Sequence, residues 1–245
     1  METRDSLGDR MKKQYEDITR YRLPRRTYTI IRLDGKAFHT YTRYLDRPYD
    51  QRFLETLDYA TQFTVRSIDG AQFAYVQSDE VSILLTDFHK PDTAAWFDGN
   101  LQKIVSVSAS ALTYAFNKYG GSGAEGEGPA LFDARAFTIP DRIEVINYFI
   151  WRQKDAERNS ISMLAQHHAS QKQLHGKNIA AQHEVIHEAG DNWNDHPTSF
   201  KRGRIVTRTG VELNIPVFTK DKSYLEALIP KIWAENEVET IINSL

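Results

Sequence analysis

Two short acidic motifs, each at the end of a strand-like run, constrain this chain most. Thr27-Tyr28-Thr29-Ile30-Ile31 leads into Arg32-Leu33-Asp34-Gly35, and Phe73-Ala74-Tyr75-Val76 leads into Gln77-Ser78-Asp79-Glu80. Runs rich in β-branched and aromatic residues read as buried strands. The fold must therefore carry carboxylates where a sheet ends. Between the motifs, Asp50 to Ile68 spaces Phe53, Leu54, Leu57, Ala60, Thr61 and Val65 as one face of a helix, and Asp69-Gly70 marks a turn. Val81 to Leu85 completes a hairpin with Phe73 to Val76, its bend at Gln77 to Glu80. Leu101 to Tyr119 is an Ala- and Ser-rich helix, Gly120 to Gly128 a flexible loop, and Leu131 to Ile139 a further strand. Strand, helix, hairpin, helix, strand is the βαββαβ-like plan of an α+β, ferredoxin-like antiparallel sheet with helices on one face.

The remainder is read around that sheet. Met1 to Tyr21 is expected to be a helix packed on the body. Pro140-Asp141 opens a long helix from Arg142 to about Gln153, resuming toward His168. Beyond Ala169 the pattern loosens into a mostly helical C-terminal appendage with a short hairpin around Lys201 to Thr207. The 245 residues divide into a catalytic core over 1–140 and a helical continuation over 141–245, packed as one unit.

Composition excludes more than it assigns. With no cysteine there is neither a disulfide framework nor a thiolate metal site, which suits a cytoplasmic protein. No stretch reaches the roughly 18 to 20 apolar residues of a membrane span, and Met1 to Arg26 has no apolar run to serve as a secretory signal. The net charge of −2 rules out a generally basic surface, so any nucleic-acid contact must use local patches. Two are visible: Arg20, Arg22, Arg25 and Arg26, and Lys201, Arg202, Arg204 and Arg208.

The chemistry follows from the acids. Two carboxylates at neighbouring strand ends repel, and one is pushed toward its protonated form. A pair of divalent cations removes the repulsion, clamps a triphosphate and acidifies an attacking hydroxyl. Gly35, lacking a Cβ, lets the backbone approach a phosphate or offers its carbonyl to a metal. The amides from Lys36 through Ala37 and Phe38 to His39 form an anion-binding turn, and Ser78 adds a hydroxyl.

The runs RLDGKAFH, YVQSDEVS, FDAR (Phe132 to Arg135) and WRQKD (Trp151 to Asp155) together resemble the tRNA-His guanylyltransferase family, from about residue 5 to about residue 210. Members resemble the palm of ordinary polymerases yet extend RNA in the 3′-to-5′ direction. The resemblance implies two Mg²⁺ ions held by Asp34 and Asp79 with the Gly35 carbonyl, and Glu80 as the adjacent catalytic acid. It implies nucleoside triphosphate binding by Lys36, Ala37, Phe38, His39 and Ser78, with Arg47 and Lys103 as basic contacts. Arg135, Asn159, Lys201, Arg202 and Arg204 become candidate tRNA contacts, and a homotetramer is expected. Where eukaryotic members carry His-Ile-Asn-Asn-Leu-Tyr, this chain has Glu157-Arg158-Asn159-Ser160-Ile161-Ser162. That departure resembles the bacterial and archaeal "like" branch. It implies template-dependent repair of 5′-truncated tRNA with ATP and GTP or other nucleoside triphosphates as substrates, ahead of dedicated addition of one G to tRNA-His. A non-catalytic tRNA-binding protein is the alternative from another class.

Two further motifs compete weakly. His183-Glu184-Val185-Ile186-His187 fits the HExxH zinc-hydrolase pattern, but the longer form needs a histidine where Trp193 stands. Gly121 to Gly126 fits GxGxxG but follows a helix, and Glu125 and Glu127 would repel phosphates.

Overall fold

The computed structural model describes residues 6–90, 92–120 and 128–232. Six strands form one antiparallel sheet: β1 (Tyr28–Gly35), β2 (Ala71–Gln77), β3 (Glu80–Leu85), β4 (Phe132–Ile139), β5 (Arg204–Val206) and β6 (Val211–Glu212). Their spatial order is β4-β1-β3-β2-β5-β6. The first four strands in that order realise the expected ferredoxin-like plan. The next two come from the C-terminal part, which extends the sheet through pairs such as Tyr75 with Ile205. The hairpin expected around Lys201 to Thr207 is displaced toward the C-terminus, because Thr198–Arg202 is helical and β5 starts after Gly203.

Strand alternation decides the core. Ile31 and Leu33 of β1, Ala74 and Val76 of β2, and Val81 and Ile83 of β3 face one side. There they meet Leu57, Ala60 and Val65 of the Gln51–Ser67 helix and Ile104, Leu112 and Phe116 of the Leu101–Gly120 helix. Tyr28, Ile30, Phe73, Tyr75 and Leu84 face the other side. The sequence reading covered only the first face. The second is also covered, by an unbroken Arg142–His168 helix of 27 residues together with Phe218, Leu225 and Ile229 from the C-terminal part. Asp141 starts this helix, its carboxylate accepting from the amides of Ile143 and Glu144.

The N-terminal segment departs from expectation. Leu7–Met11 is helical and the turns through Thr19 continue it, yet none of these residues is buried. The adjoining arginines are ties within the chain. Arg22 pairs with Asp98, Arg25 with Asp87, and Arg26 donates to the Asp87 carbonyl. The glycine-rich 121–126 motif lies outside the described residues. No helix among those described is long and apolar enough to cross a membrane.

Candidate active site

Asp34 sits one residue before the end of β1. The β1–β3 ladder ends at Leu33–Val81, so its next step points Asp34 toward the Gln77–Glu80 pair that closes the hairpin. Ser78 and Asp79 are the two residues of that turn, and Ser78 adopts the left-handed conformation at φ 47°. The two motifs thus meet at one end of the sheet. Burial first, and then the like charge of Asp34, raises the Asp79 carboxyl above its ordinary range.

Both acids open onto a cleft of about 500 Å³. Its walls include Ala37, Phe38, His39, Arg47 and Ser78, and on the far side Asn159 of the long helix and Phe200. The loop after β1 is shaped for this position. Ala37 takes a left-handed conformation (φ 56°) and starts the four-residue Phe38–Tyr41 helix. The Lys36 amide already donates to the Leu131 carbonyl (2.8 Å), so it is not a free phosphate donor. The first-turn amides of Phe38 and His39 are those that such a helix leaves without an intrahelical partner. Gly35 has a further reason to be glycine: an added Cβ would lie 2.3 Å from the Phe38 ring. Phe38 in turn packs among Tyr41, Phe53, Phe116 and Phe132, which holds the loop down. Arg47 precedes Pro48 through a cis peptide bond, and its guanidinium donates to the Thr42 carbonyl (3.1 Å) at the cleft wall.

Glu80 is placed differently from Asp79. It is buried against the long helix, where Arg152 grips it with two bonds of 2.7 Å and Arg32 approaches to 2.5 Å. Arg152 also holds Asp155 (2.9 Å), which pairs with Arg158. Glu80 therefore fixes the hairpin to the helix and does not line the cleft.

The arrangement of acids suits divalent cations. The Asp79 carboxylate is disfavoured by burial and by its neighbour's charge, and a divalent cation would offset both effects. A protein-family model described as "Thg1: tRNAHis guanylyltransferase" matches residues 8–140, more than half of the chain and both motifs. The chain belongs to the tRNAHis guanylyltransferase (Thg1) family.

It is thus an enzyme of the nucleotidyltransferase class. A bacterial Thg1-like protein solved in complex with ATP is 43% identical and superposes with a TM-score of 0.87, covering 92% of this chain and 100% of that one. A bacterial Thg1-like structure with GTP is 40% identical at a TM-score of 0.76, covering 91% and 99%. The tRNA(His) guanylyltransferase of Candida glabrata is 27% identical over 238 residues, 88% of this chain and 98% of the relative. An uncharacterised mimivirus protein is 31% identical over 186 residues, 66% of this chain; the match spans 63% of that relative, under two thirds of its length.

Several residues assigned to this Thg1-family site stand elsewhere. Lys103 begins the Leu101–Gly120 helix, whose later residue Phe116 packs on Phe38; thirteen residues of helix separate the two by about 20 Å. Lys103 thus lies toward the opposite end of the sheet, beside the Phe97 ring, and does not line the cleft. Arg204 is fully buried and paired with Asp58. Lys201 is buried, donates to the Asn194 carbonyl and lies over the Trp193 ring. Burial, and then the charge of Arg202, draws its ammonium down from the usual range. Arg202 is half-buried and bonded to Glu157 (3.0 Å). The late basic cluster is thus largely internal, and of the five candidate RNA contacts Arg135 and Asn159 are exposed. Sequence reasoning missed Arg32 and Arg152, which reach Glu80 only through the pairing of β1 with β3 and the packing of the long helix on the sheet. His183 of the HExxH run stands edge-on to the Trp193 ring (5.8 Å), and no group of three metal-ligating side chains gathers among the described residues.

Proposed function

We propose that this protein is a Mg²⁺-dependent 3′-to-5′ nucleotidyltransferase that repairs 5′-truncated tRNA, copying the opposite strand after ATP activates the 5′-phosphate. The observation that carries this reading is the meeting of Asp34 and Asp79 at one sheet end, over a cleft large enough for a nucleoside triphosphate. Magnesium bound there would balance the two carboxylates, bind the triphosphate and acidify a ribose hydroxyl.

The chain's own groups supply the rest. Asp34 and Asp79, with the Gly35 carbonyl, form the oxygen donor set. The Phe38 and His39 amides and the Ser78 hydroxyl, which also bonds Asp79, lie along the cleft wall as phosphate donors with Arg47 as a charged neighbour, while Lys36 follows Gly35 in the chain but does not line the cleft. In the first step an oxygen of the tRNA 5′-phosphate attacks the α-phosphorus of ATP and pyrophosphate leaves. In the second, the 3′-hydroxyl of an incoming nucleoside triphosphate attacks the activated 5′-phosphorus; AMP leaves, and the hydroxyl proton passes to solvent. Both steps are displacements at phosphorus, so one set of oxygen donors serves both.

The departure from the eukaryotic run at Glu157–Ser162 supports repair over dedicated G addition. Where eukaryotic relatives carry a His-Ile-Asn-Asn run, Asp155–Arg158 and Glu157–Arg202 ion pairs occupy the helix surface here. The test supplies 5′-truncated tRNA, ATP and labelled nucleoside triphosphates. Extension that follows the opposite base is expected. Addition of G alone, whatever the opposite base, would replace this reading with tRNA-His guanylylation. A homotetramer and a cytoplasmic setting belong to the same proposal.

A further inference from the structure

Beside the catalytic cleft runs a second groove of about 410 Å³. Leu45, Asp50 and Phe53 wall both, so the two spaces adjoin. The second groove is lined by four tyrosines: Tyr41 and Tyr44 from the loop after β1, Tyr59 from the Gln51–Ser67 helix and Tyr119 from the Leu101–Gly120 helix. Tyr41 is anchored, its ring stacked on Phe38 at 5.0 Å. The other three are open: Tyr44 is 64% exposed, Tyr59 63% and Tyr119 50%, with the Tyr59 and Tyr119 rings 6.1 Å apart.

Packing within the chain does not account for open aromatic rings gathered from three elements at the mouth of a reaction cleft. They are not a plain apolar patch, since each ends in a hydroxyl. Cations accompany them: the Arg43 guanidinium lies over the Tyr44 ring (4.8 Å), and Arg52 lines the groove. The groove's Glu55 carboxylate is engaged by the Gln51 amide (2.9 Å). Exposed π-faces beside arginines are what stacks unpaired bases while countering backbone charge.

We infer that this groove stacks unpaired nucleobases of the RNA substrate, seating single-stranded nucleotides next to the 5′ end being extended. The inference rests on the nucleotidyltransferase reading and deepens it. Unpaired bases can come from the RNA's single-stranded 3′ end or from the incoming nucleoside triphosphate, and continuity with the cleft admits both. The groove lies outside the walls formed by Asp34, Asp79 and Ser78, which favours the RNA strand.

The experiment measures binding of tRNA to Tyr44→Ala, Tyr59→Ala and the double variant, each beside its Tyr→Phe counterpart. Every variant is tested with tRNA that keeps or lacks its unpaired 3′ nucleotides. A fluorescent adenine analogue in the overhang reports stacking directly. Losses of about tenfold per ring are expected for intact tRNA. Trimmed tRNA should show little loss, Phe should restore binding, and the quench should disappear with Ala. Equal losses on trimmed and intact tRNA, or an unchanged quench, would overturn the inference. A raised KM for the nucleoside triphosphate with tRNA binding unchanged would overturn it by giving the groove to the incoming base. These outcomes are separable from failure of the underlying reading, in which the wild-type protein would not bind or extend tRNA at all.

Discussion

Asp79 and Glu80 are neighbours in the chain and opposites in the molecule. Asp79, in the turn, faces a cleft where the like charge of Asp34 acts on it. Glu80, first residue of β3, turns to the long helix and is gripped by Arg152 and Arg32. Burial raises both carboxyls, but Asp79 is left unbalanced beside a like charge, whereas Arg152 and Arg32 offset part of the cost of burying Glu80. Alternation along a strand allows this, because successive side chains go to different surroundings. The contrast separates chemistry from scaffolding: a charge the fold does not balance is available to a ligand, and one it balances holds elements together.

The sharpest way to break the comparison is to neutralise each acid. Asp79→Asn should lower nucleotide addition by more than about a thousandfold, since a metal-binding oxygen goes while shape stays. The same change should raise the melting temperature of the metal-free protein near pH ~7. The sign follows from linkage. The folded Asp79 carboxyl is raised, so its ionised form costs stability above that raised value, and the cost fades as pH falls and the carboxyl takes up a proton. The gain from Asn should therefore shrink on acidification. Thermal melts across pH check this, and a melting temperature that falls at neutral pH would contradict the unbalanced charge.

Arg152→Ala tests the other acid. It leaves the buried Glu80 with Arg32 alone, and breaking a buried pair from one side costs about 3–5 kcal/mol. Chemical denaturation should show that loss. Activity at low temperature, where the variant stays folded, should fall far less than in Asp79→Asn. If Arg152→Ala were stable but inactive, Glu80 would belong with the catalytic groups after all.

The difference between the two acids also marks how far the sequence could be read. The first four strands along the chain and their helices were legible because hydrophobic alternation and 3.6-residue spacing are local signals. Both motifs and their meeting followed from strand order. What was not legible depended on partners far along the chain. Arg152 lies 72 residues from Glu80, and no local pattern announces that pair. Gly35 was readable as special, but its steric reason, the Phe38 ring, needed the loop's path. The late arginines looked like a surface patch because charge runs are usually solvated. Arg204 is buried because β5 joins the sheet beside β2 and places it against Asp58. The N-terminal segment failed in the other direction: its scattered apolar residues suggested packing, yet Leu7 and Tyr15 stay open.

The smallest expected effects extend the comparison from acids to cations. Arg135 is exposed on edge strand β4, and Arg204 is sealed in the core. If exposure decides which arginines meet RNA, Arg135→Ala should weaken tRNA binding by about 1 kcal/mol whatever the acceptor sequence. It should also reduce the slope of log affinity against log salt by about one unit, the signature of one lost phosphate contact. Arg204→Ala should leave that slope unchanged and lower stability instead, because the Asp58 carboxyl, already raised by burial, loses the guanidinium that offsets it. Salt titrations of tRNA affinity alongside denaturation curves separate the two. A changed slope for Arg204→Ala with unchanged stability would mean that its burial against Asp58 does not describe the protein that binds RNA.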